Sequence, residues 1–86
     1  MGICNSRCYV LARVDVSGAV PVVVSVNHYG EKSPTSHMNY RWWELGVGEG
    51  ENYTEAKAKA RKMALEWHNW AEPWLNGEIE LPHPGR

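Results

Sequence analysis

The hydrophobic positions between Asn52 and Trp74 recur with the period of an α-helix. On a wheel of 3.6 residues per turn the apolar side chains share one face, and the charged side chains surround the rest. The pattern predicts one long amphipathic helix, which starts at a capping box of Asn52 and Glu55 and ends near Glu72, before a proline. We expect its tryptophans to be buried in the core. The apolar face consists of Tyr53, Ala56, Ala60, Met63, Ala64, Trp67, Trp70, Ala71 and Trp74.

Alternation of apolar and polar residues predicts a β-hairpin before this helix. Residues Tyr9–Val16 alternate with a period of two, which is typical of a half-buried strand. Ser17–Ala19 supplies a turn, and Val20–Tyr29 resumes β-branched residues. The two segments are therefore expected to pair as antiparallel strands, with the valines of the first strand facing the helix.

A third strand is predicted over Met38–Leu45, after a loop rich in Gly, Ser and Pro. Gly46, Gly48 and Gly50 are expected to end this strand in a flexible acidic stretch. Glu78–Leu81 could add one short edge strand. The predicted fold is α+β: a three- to four-stranded antiparallel sheet packed on one long amphipathic helix, in the order β-β-β-α with an optional last strand.

The chain length predicts a single domain over residues 1–86, because a second core could not be built from what remains. Residues 1–7 are expected to be an N-terminal segment and residues 82–86 a C-terminal tail. Nine Lys and Arg stand against ten Asp and Glu, which gives a net charge of −1. A general nucleic-acid binder usually carries a positive excess, so this balance does not favour nucleic acid as the partner.

No apolar run approaches the ~20 residues that span a bilayer, and no signal peptide is recognisable. We therefore expect a cytoplasmic protein of the host cell with no membrane partner. Gly2 fits the loose pattern for N-myristoylation, with Cys4 available for palmitoylation. Since no polybasic stretch follows, the anchor is the less favoured alternative.

The sequence contains no recognised catalytic signature around its histidines or its cysteines. The glycines at positions 46, 48 and 50 have the wrong spacing for a phosphate or dinucleotide loop, and acidic neighbours would repel phosphate. We expect no enzymatic activity and no cofactor. Cys4 and Cys8 could join His28 or His37 around zinc, but the spacing is atypical of structural sites, and we expect no metal.

A surface is the better functional candidate. The sheet face opposite the helix is predicted to carry aromatic residues interleaved with arginine, a composition enriched at protein-binding hot spots and also able to stack on bases. The alternative is an ordinary solvent-exposed face. The acidic segment from Glu44 to Glu55 could imitate nucleic-acid phosphates. The predicted partner-binding residues are Tyr9, Arg13, Tyr29, Arg41, Trp43, Glu44, Glu49 and Glu51.

Two segments resemble known families. Gly48 and Gly50, followed by Thr54–Lys57, resemble the third strand and last helix of double-stranded RNA-binding domains. That family grips phosphates with a lysine-rich helix start, of which this chain has Lys57 alone, so the resemblance implies a packing pattern rather than RNA binding. Tyr9–Ala12, Thr54–Ala56 and Pro82–Pro84 together resemble HicB-like antitoxin domains, a likeness that implies a sheet with one helix and no catalytic residues.

In size, balanced charge and lack of catalytic motifs, the chain is similar to small anti-defence proteins of phages and mobile elements, including anti-CRISPR proteins. This resemblance implies a non-enzymatic inhibitor that binds a larger protein or nucleoprotein complex, such as a host defence nuclease complex. The alternative is an RNA- or single-strand-binding module that uses the aromatic sheet face. Oligomeric state is left open, with a dimer among the options. For the alternative, four basic helix residues would assist: Lys57, Lys59, Arg61 and Lys62.

Overall fold

The computed structural model of the chain describes residues 6–35 and 38–79. These residues form a three-stranded antiparallel sheet with helices on one face, which confirms the α+β class. The elements are strands β1 (Ser6–Asp15), β2 (Val22–Tyr29) and β3 (Tyr40–Gly50), helix α1 (Tyr53–Trp67), a 3₁₀ turn (Asn69–Ala71) and helix α2 (Glu72–Leu75).

The central strand of the sheet is β1, since the strand order is β2-β1-β3. It pairs antiparallel with β2, as the predicted hairpin requires, and also with β3. It begins at Ser6, inside the segment that was expected to precede the fold. Because β1 has a strand on each side and α1 lies over one of its faces, its residues Cys8, Val10 and Val14 are completely buried.

The glycines of β3 do not end the strand, and the predicted flexible acidic stretch is wrong. The strand runs through Gly46 and Gly48 to Gly50. A side chain at Gly46 would place its Cβ 2.6 Å from the carbonyl oxygen of Ala60, and one at Gly48 would collide with the backbone of Ala56 and Ala60. Glycine in a strand often marks such a close approach of another backbone. Here it lets α1 lie directly on the sheet.

Helix α1 begins at the predicted cap. The Asn52 side chain accepts a hydrogen bond from the backbone N–H of Glu55 at 2.8 Å, and the Glu55 carboxylate accepts one from the N–H of Glu51 at 2.7 Å. The first bond satisfies one of the donors that a helix start leaves unpaired, and the second holds the residue before the cap. The reciprocal bond goes to Glu51 rather than to the cap residue itself.

The helix is shorter than predicted. It ends at Trp67, because His68 has a non-helical backbone at φ −141° and ψ 66°, and the chain continues in the 3₁₀ turn and α2. Proline at position 73 lies in the first turn of α2, where it is tolerated because its missing N–H has no helical acceptor there. Gly77 follows α2 with a φ of 76°, which agrees with the predicted stop signal.

The core is built from small residues of α1 and valines of the sheet. The fully buried helical positions are Ala56, Ala60, Ala64 and Ala71, and Trp74 packs against them half-buried. The expectation that all helix tryptophans are buried is wrong: Trp67 is 77% exposed and Trp70 is 39% exposed. Trp67 is the last residue of α1, and after the break at His68 the chain returns Ala71 and Trp74 to the core instead.

Some predictions concern residues near or beyond the ends of the described ranges. Glu78 and Ile79 are not part of a strand, and Glu80 and Leu81 lie outside the described residues, as do Gly2, Cys4 and the tail 82–86. None of the helices in residues 6–35 and 38–79 is long and apolar enough to cross a membrane.

Candidate functional site

A β-bulge decides which side chains of β3 share a face. Val10 pairs with Gly46 and Leu11 pairs with Glu44, so Leu45 is an extra residue in the ladder. Beyond the bulge, Trp43 lies opposite Ala12 of the core, on the helix side of the sheet.

The predicted placement of Arg41 and Trp43 on the outer face is therefore wrong. Arg41 pairs with the buried Val14, and Trp42, rather than Trp43, pairs with Arg13 on the outer face. One extra residue in a strand reverses the alternation beyond it, because side chains have a period of two. Whether Arg41 and Trp43 bind a partner stays a prediction.

The outer face is largely covered by its own aromatic residues. Tyr29 of β2 and Trp42 of β3 flank β1, yet their ring centroids are 5.0 Å apart in an edge-to-face arrangement. The rings must meet above β1, between the positions of Tyr9 and Arg13 with which they pair. This contact explains why Leu11, on the outer side of β1, is completely buried.

Further contacts fix this aromatic cover. The indole N–H of Trp42 donates a 2.7 Å hydrogen bond to the carbonyl of Pro34, which ties the loop after β2 to the outer face. The Arg13 guanidinium lies 4.6 Å from the centre of the Tyr40 ring, a cation–π contact. Tyr29 and Arg13, both predicted to meet a partner, are thus engaged within the fold.

A shallow groove of about 380 Å³ remains at the other end of this face. The Arg7 guanidinium contacts the Tyr9 hydroxyl at 3.4 Å and forms an ion pair with Glu49. These hydrogen bonds, to Tyr9 and then to Glu49, raise the pKa of Arg7 above its ordinary value. The groove brings together three predicted site residues, Tyr9, Glu44 and Glu49, and it is lined by Arg7, Tyr9, Lys32, Glu44, Val47, Gly48 and Glu49.

The acidic segment is partly neutralised. Glu49 is paired with Arg7, and the Glu55 carboxylate is held by the backbone at the start of α1. Glu44 and Glu51 are exposed. A phosphate-like row of free carboxylates is therefore not what this segment presents, because two of its acids already have partners.

Apolar side chains are exposed near the end of α1. Met63 and Trp67 lie one helical turn apart, and they are 39% and 77% exposed. Trp70 follows in the 3₁₀ turn, where its ring meets that of His68 at a centroid distance of 6.0 Å. The same region includes Trp43, which is 43% exposed.

The position of Trp43 follows from how α1 crosses β3. Gly48 lies against Ala56 and Ala60, and Gly46 lies against Ala60 and Ala64, so the helix and the strand run in opposite directions. Trp43 is farther back along β3 on the same face, and it therefore lies toward the end of α1. We call the exposed set Trp43, Met63, Trp67 and Trp70 the tryptophan patch.

Basic residues of α1 gather on its other flank, beside β2. Lys57 and Arg61 are one turn apart and line a cleft of about 380 Å³ with His28 of β2. Desolvation, followed by the charges of Lys57 and Arg61, lowers the pKa of His28 below 6.5. We call this the cationic cleft; its lining is His28, Thr54, Lys57, Ala58, Arg61 and Leu75.

This arrangement separates the two halves of the predicted nucleic-acid surface. Tyr9 lies on the outer face of the sheet, whereas Lys57 and Arg61 lie on the helix side. Lys59 lines a different groove, next to Glu49 and Glu51. Nucleic acid remains the less favoured alternative, because aromatic and basic side chains do not form one continuous track.

The cysteine that the structure describes is structural. Cys8 is buried, and its thiol contacts the Tyr53 hydroxyl at 3.4 Å. This hydrogen bond, with partial burial, raises the pKa of Tyr53 to about 12. Within residues 6–35 and 38–79 no three His, Cys, Asp or Glu side chains come together as metal ligands would, and Cys4 and His37 lie outside these ranges.

Sequence reasoning missed the cationic cleft and the role of Trp42. Lys57 and Arg61 are spaced by four residues, which was a usable signal, but His28 joins them only in the folded structure, where α1 lies on β1 and β3 and leaves a cleft toward β2. Comparison of the chain with protein-family models, with curated proteins and with solved structures finds no match in any of the three.

Proposed function

We propose that this domain binds a protein, and that its tryptophan patch is the contact surface. The observation that carries the proposal is the exposure of Trp67, at 77% of its surface. Exposed apolar groups that cluster on a small domain are typical of interaction sites. Tryptophan and arginine are the residue types most enriched at binding hot spots, and Arg41 is exposed on the same side of the sheet.

The energetic argument favours this patch over the outer face. Burying one tryptophan removes roughly 150–250 Å² from water, which corresponds to about 4–6 kcal/mol before the costs of association. Trp67 has most of this area still available. On the outer face, Trp42 and Tyr29 already bury part of their surface against each other and over Leu11.

More specifically, we propose that the domain inhibits a larger protein or nucleoprotein complex, such as a host defence nuclease complex. The support is the size of the domain and the exposure of the patch. A typical stable interface covers roughly 800 Å² on each partner. A chain of 86 residues that docks with such an area can block an active surface on a much larger molecule.

The test is affinity capture from host lysate with matched variants. Trp67→Ala and Trp70→Ala, which truncate exposed side chains, should lose the proteins that the parent chain captures. Sedimentation velocity of the parent chain at several concentrations shows whether a second copy covers the patch instead. The partner identified by capture is then assayed with and without stoichiometric chain, and inhibition should depend on Trp67.

The matched control is a charge reversal on the acidic segment. Glu51→Lys alters one exposed carboxylate before the start of α1, at the opposite end of the helix from Trp67, and should leave capture unchanged. Capture that survives both tryptophan variants but disappears with this charge reversal would place the contact on the acidic segment and refute the patch.

A further inference from the structure

The structure contains a second surface that the proposed function does not use, which is the cationic cleft between α1 and β2. We propose that this cleft binds a phosphate group of a small molecule. The two cations on its wall, Lys57 and Arg61, are one helical turn apart. Thr54 lies about one turn before Lys57 on the same flank of α1 and also lines the cleft.

Charge on the cleft wall is unbalanced. Among the described residues that line it there is no carboxylate, although the chain as a whole has a net charge of −1. Like charges four residues apart on a helix repel, so Lys57 and Arg61 destabilise the helix unless an anion lies between them. The Arg61 guanidinium also donates a hydrogen bond to the side-chain oxygen of Asn76, which holds the guanidinium toward the chain segment after α2.

His28 forms the sheet side of the cleft. Its Nε2 is buried, and within residues 6–35 and 38–79 it has no hydrogen-bond partner. Buried polar atoms without partners are uncommon and costly. Desolvation, followed by the charges of Lys57 and Arg61, lowers the pKa of His28; a dianion beside the two cations would offset their charges and supply an acceptor for the Nε2–H of a protonated ring.

The size of the cleft fits this class of ligand. A volume of about 380 Å³ is near the lower end of the ~300–1,000 Å³ range of small-molecule sites. It exceeds many times the ~30 Å³ that one water molecule occupies in the liquid. The cleft thus has room for a phosphate and part of the molecule that carries it, with Leu75 as an apolar wall.

The experiment follows the His28 ring by NMR while the intact chain is titrated with inorganic phosphate or with a nucleoside 5′-monophosphate. Chloride at the same ionic strength is the reference. We expect saturable shifts of the His28 signals and a rise of its pKa by roughly one unit, as a nearby opposite charge produces. A stronger response to the monophosphate than to inorganic phosphate identifies a phosphomonoester metabolite, and equal responses identify free phosphate.

Matched variants separate a site from general screening. Lys57→Gln should abolish the saturable response, whereas Lys62→Gln, an exposed lysine of α1 outside the cleft lining, should preserve it. Equal His28 pKa values in phosphate and chloride would overturn the proposal, as would equal losses in the two variants. A response to a single-stranded oligonucleotide alone, with none to either small phosphate, would also overturn it and favour nucleic acid.

Discussion

The contact between α1 and β3 depends on side chains that are minimal or missing. Ala56, Ala60 and Ala64 present one methyl group each, and Gly46 and Gly48 present none. Close packing of two backbones gives dense dispersion contacts without large side chains. The same arrangement leaves no space for an added atom, so single substitutions here should have large effects.

Gly48→Ala should destabilise the fold by about 2–3 kcal/mol or more. Its Cβ would collide with backbone atoms of Ala56 and Ala60, which cannot move without displacing α1. Urea unfolding monitored by circular dichroism measures the change. Gly18→Ala is the control, because among the described residues nothing lies within 4 Å of the added Cβ, and its effect should stay within ~0.5 kcal/mol. Equal stability of the two variants would contradict the close contact.

Trp67→Ala should cost less than ~1 kcal/mol, since most of the side chain is already in water. Truncation of a buried aromatic residue would cost roughly 3–5 kcal/mol, which is what the helical pattern alone predicts. Leu11→Ala is the buried comparison and should cost about 2–5 kcal/mol. A Trp67→Ala variant that loses as much stability as Leu11→Ala would show that Trp67 belongs to the core.

At the scale of elements, the sequence correctly predicted those features that depend on residues close together in the chain. The hairpin, the cap at Asn52 and the stop at Gly77 follow from residues adjacent in the chain. The errors arose where distant contacts decide. Gly46 and Gly48 signal a loop in isolation, and only the approach of α1 gives them a place inside a strand.

Prediction of the candidate site from the sequence failed for the same reason, because contacts between distant residues decide which side chains are exposed. The bulge at Leu45 reverses the faces of Arg41 and Trp43, and no local pattern marks it. Tyr29 was correctly placed on the outer face, but its contact with Trp42 above Leu11 depends on the strand order. Composition indicated which residue types could bind a partner, whereas the exposure of each side chain depends on how the strands and the helix pack.

Asn52→Ala should destabilise the fold by about 1 kcal/mol, within the ~0.5–2 kcal/mol range for loss of a helix cap. The variant leaves the backbone N–H of Glu55 without its side-chain acceptor. Thermal unfolding followed at 222 nm provides the measurement. Thr54→Ala is the control, because Asn52 rather than Thr54 caps α1, and its change should be smaller. A larger loss of stability from Thr54→Ala than from Asn52→Ala would show that Thr54, rather than Asn52, caps α1.

At the scale of the whole molecule, the two flanks of α1 differ in chemistry. Trp43, Met63 and Trp67 of the tryptophan patch lie toward the β3 edge and the end of the helix, and the cationic cleft lies toward β2. Both exist because the alanine stripe brings α1 close to the sheet, which exposes the large side chains on either side of it. A narrow core of small residues thus leaves a small domain with two distinct surfaces.

The stability of the whole domain should fall as the pH drops below about 6.5, in part because of His28. Its folded-state pKa lies below 6.5, so the unfolded chain binds more protons in this window. The contribution of His28 is complete above the unfolded pKa and decreases as the pH approaches the folded pKa. Burial of the imidazole is the main cause of the lowered pKa and the charges of Lys57 and Arg61 add to it, and solvent screening should keep the effect below roughly 1 kcal/mol.

Urea midpoints of the parent chain and of His28→Gln, measured between pH 5 and 7.5 in a buffer without phosphate, test this linkage. The variant lacks the titrating group, so its stability should depend less on pH than that of the parent. Lys62→Gln is the control, since it removes an exposed side chain of α1 outside the cleft lining and no histidine, and its pH profile should follow the parent. Parallel profiles for the parent and His28→Gln would mean that neither burial nor the nearby cations lower the pKa of His28 in the folded chain.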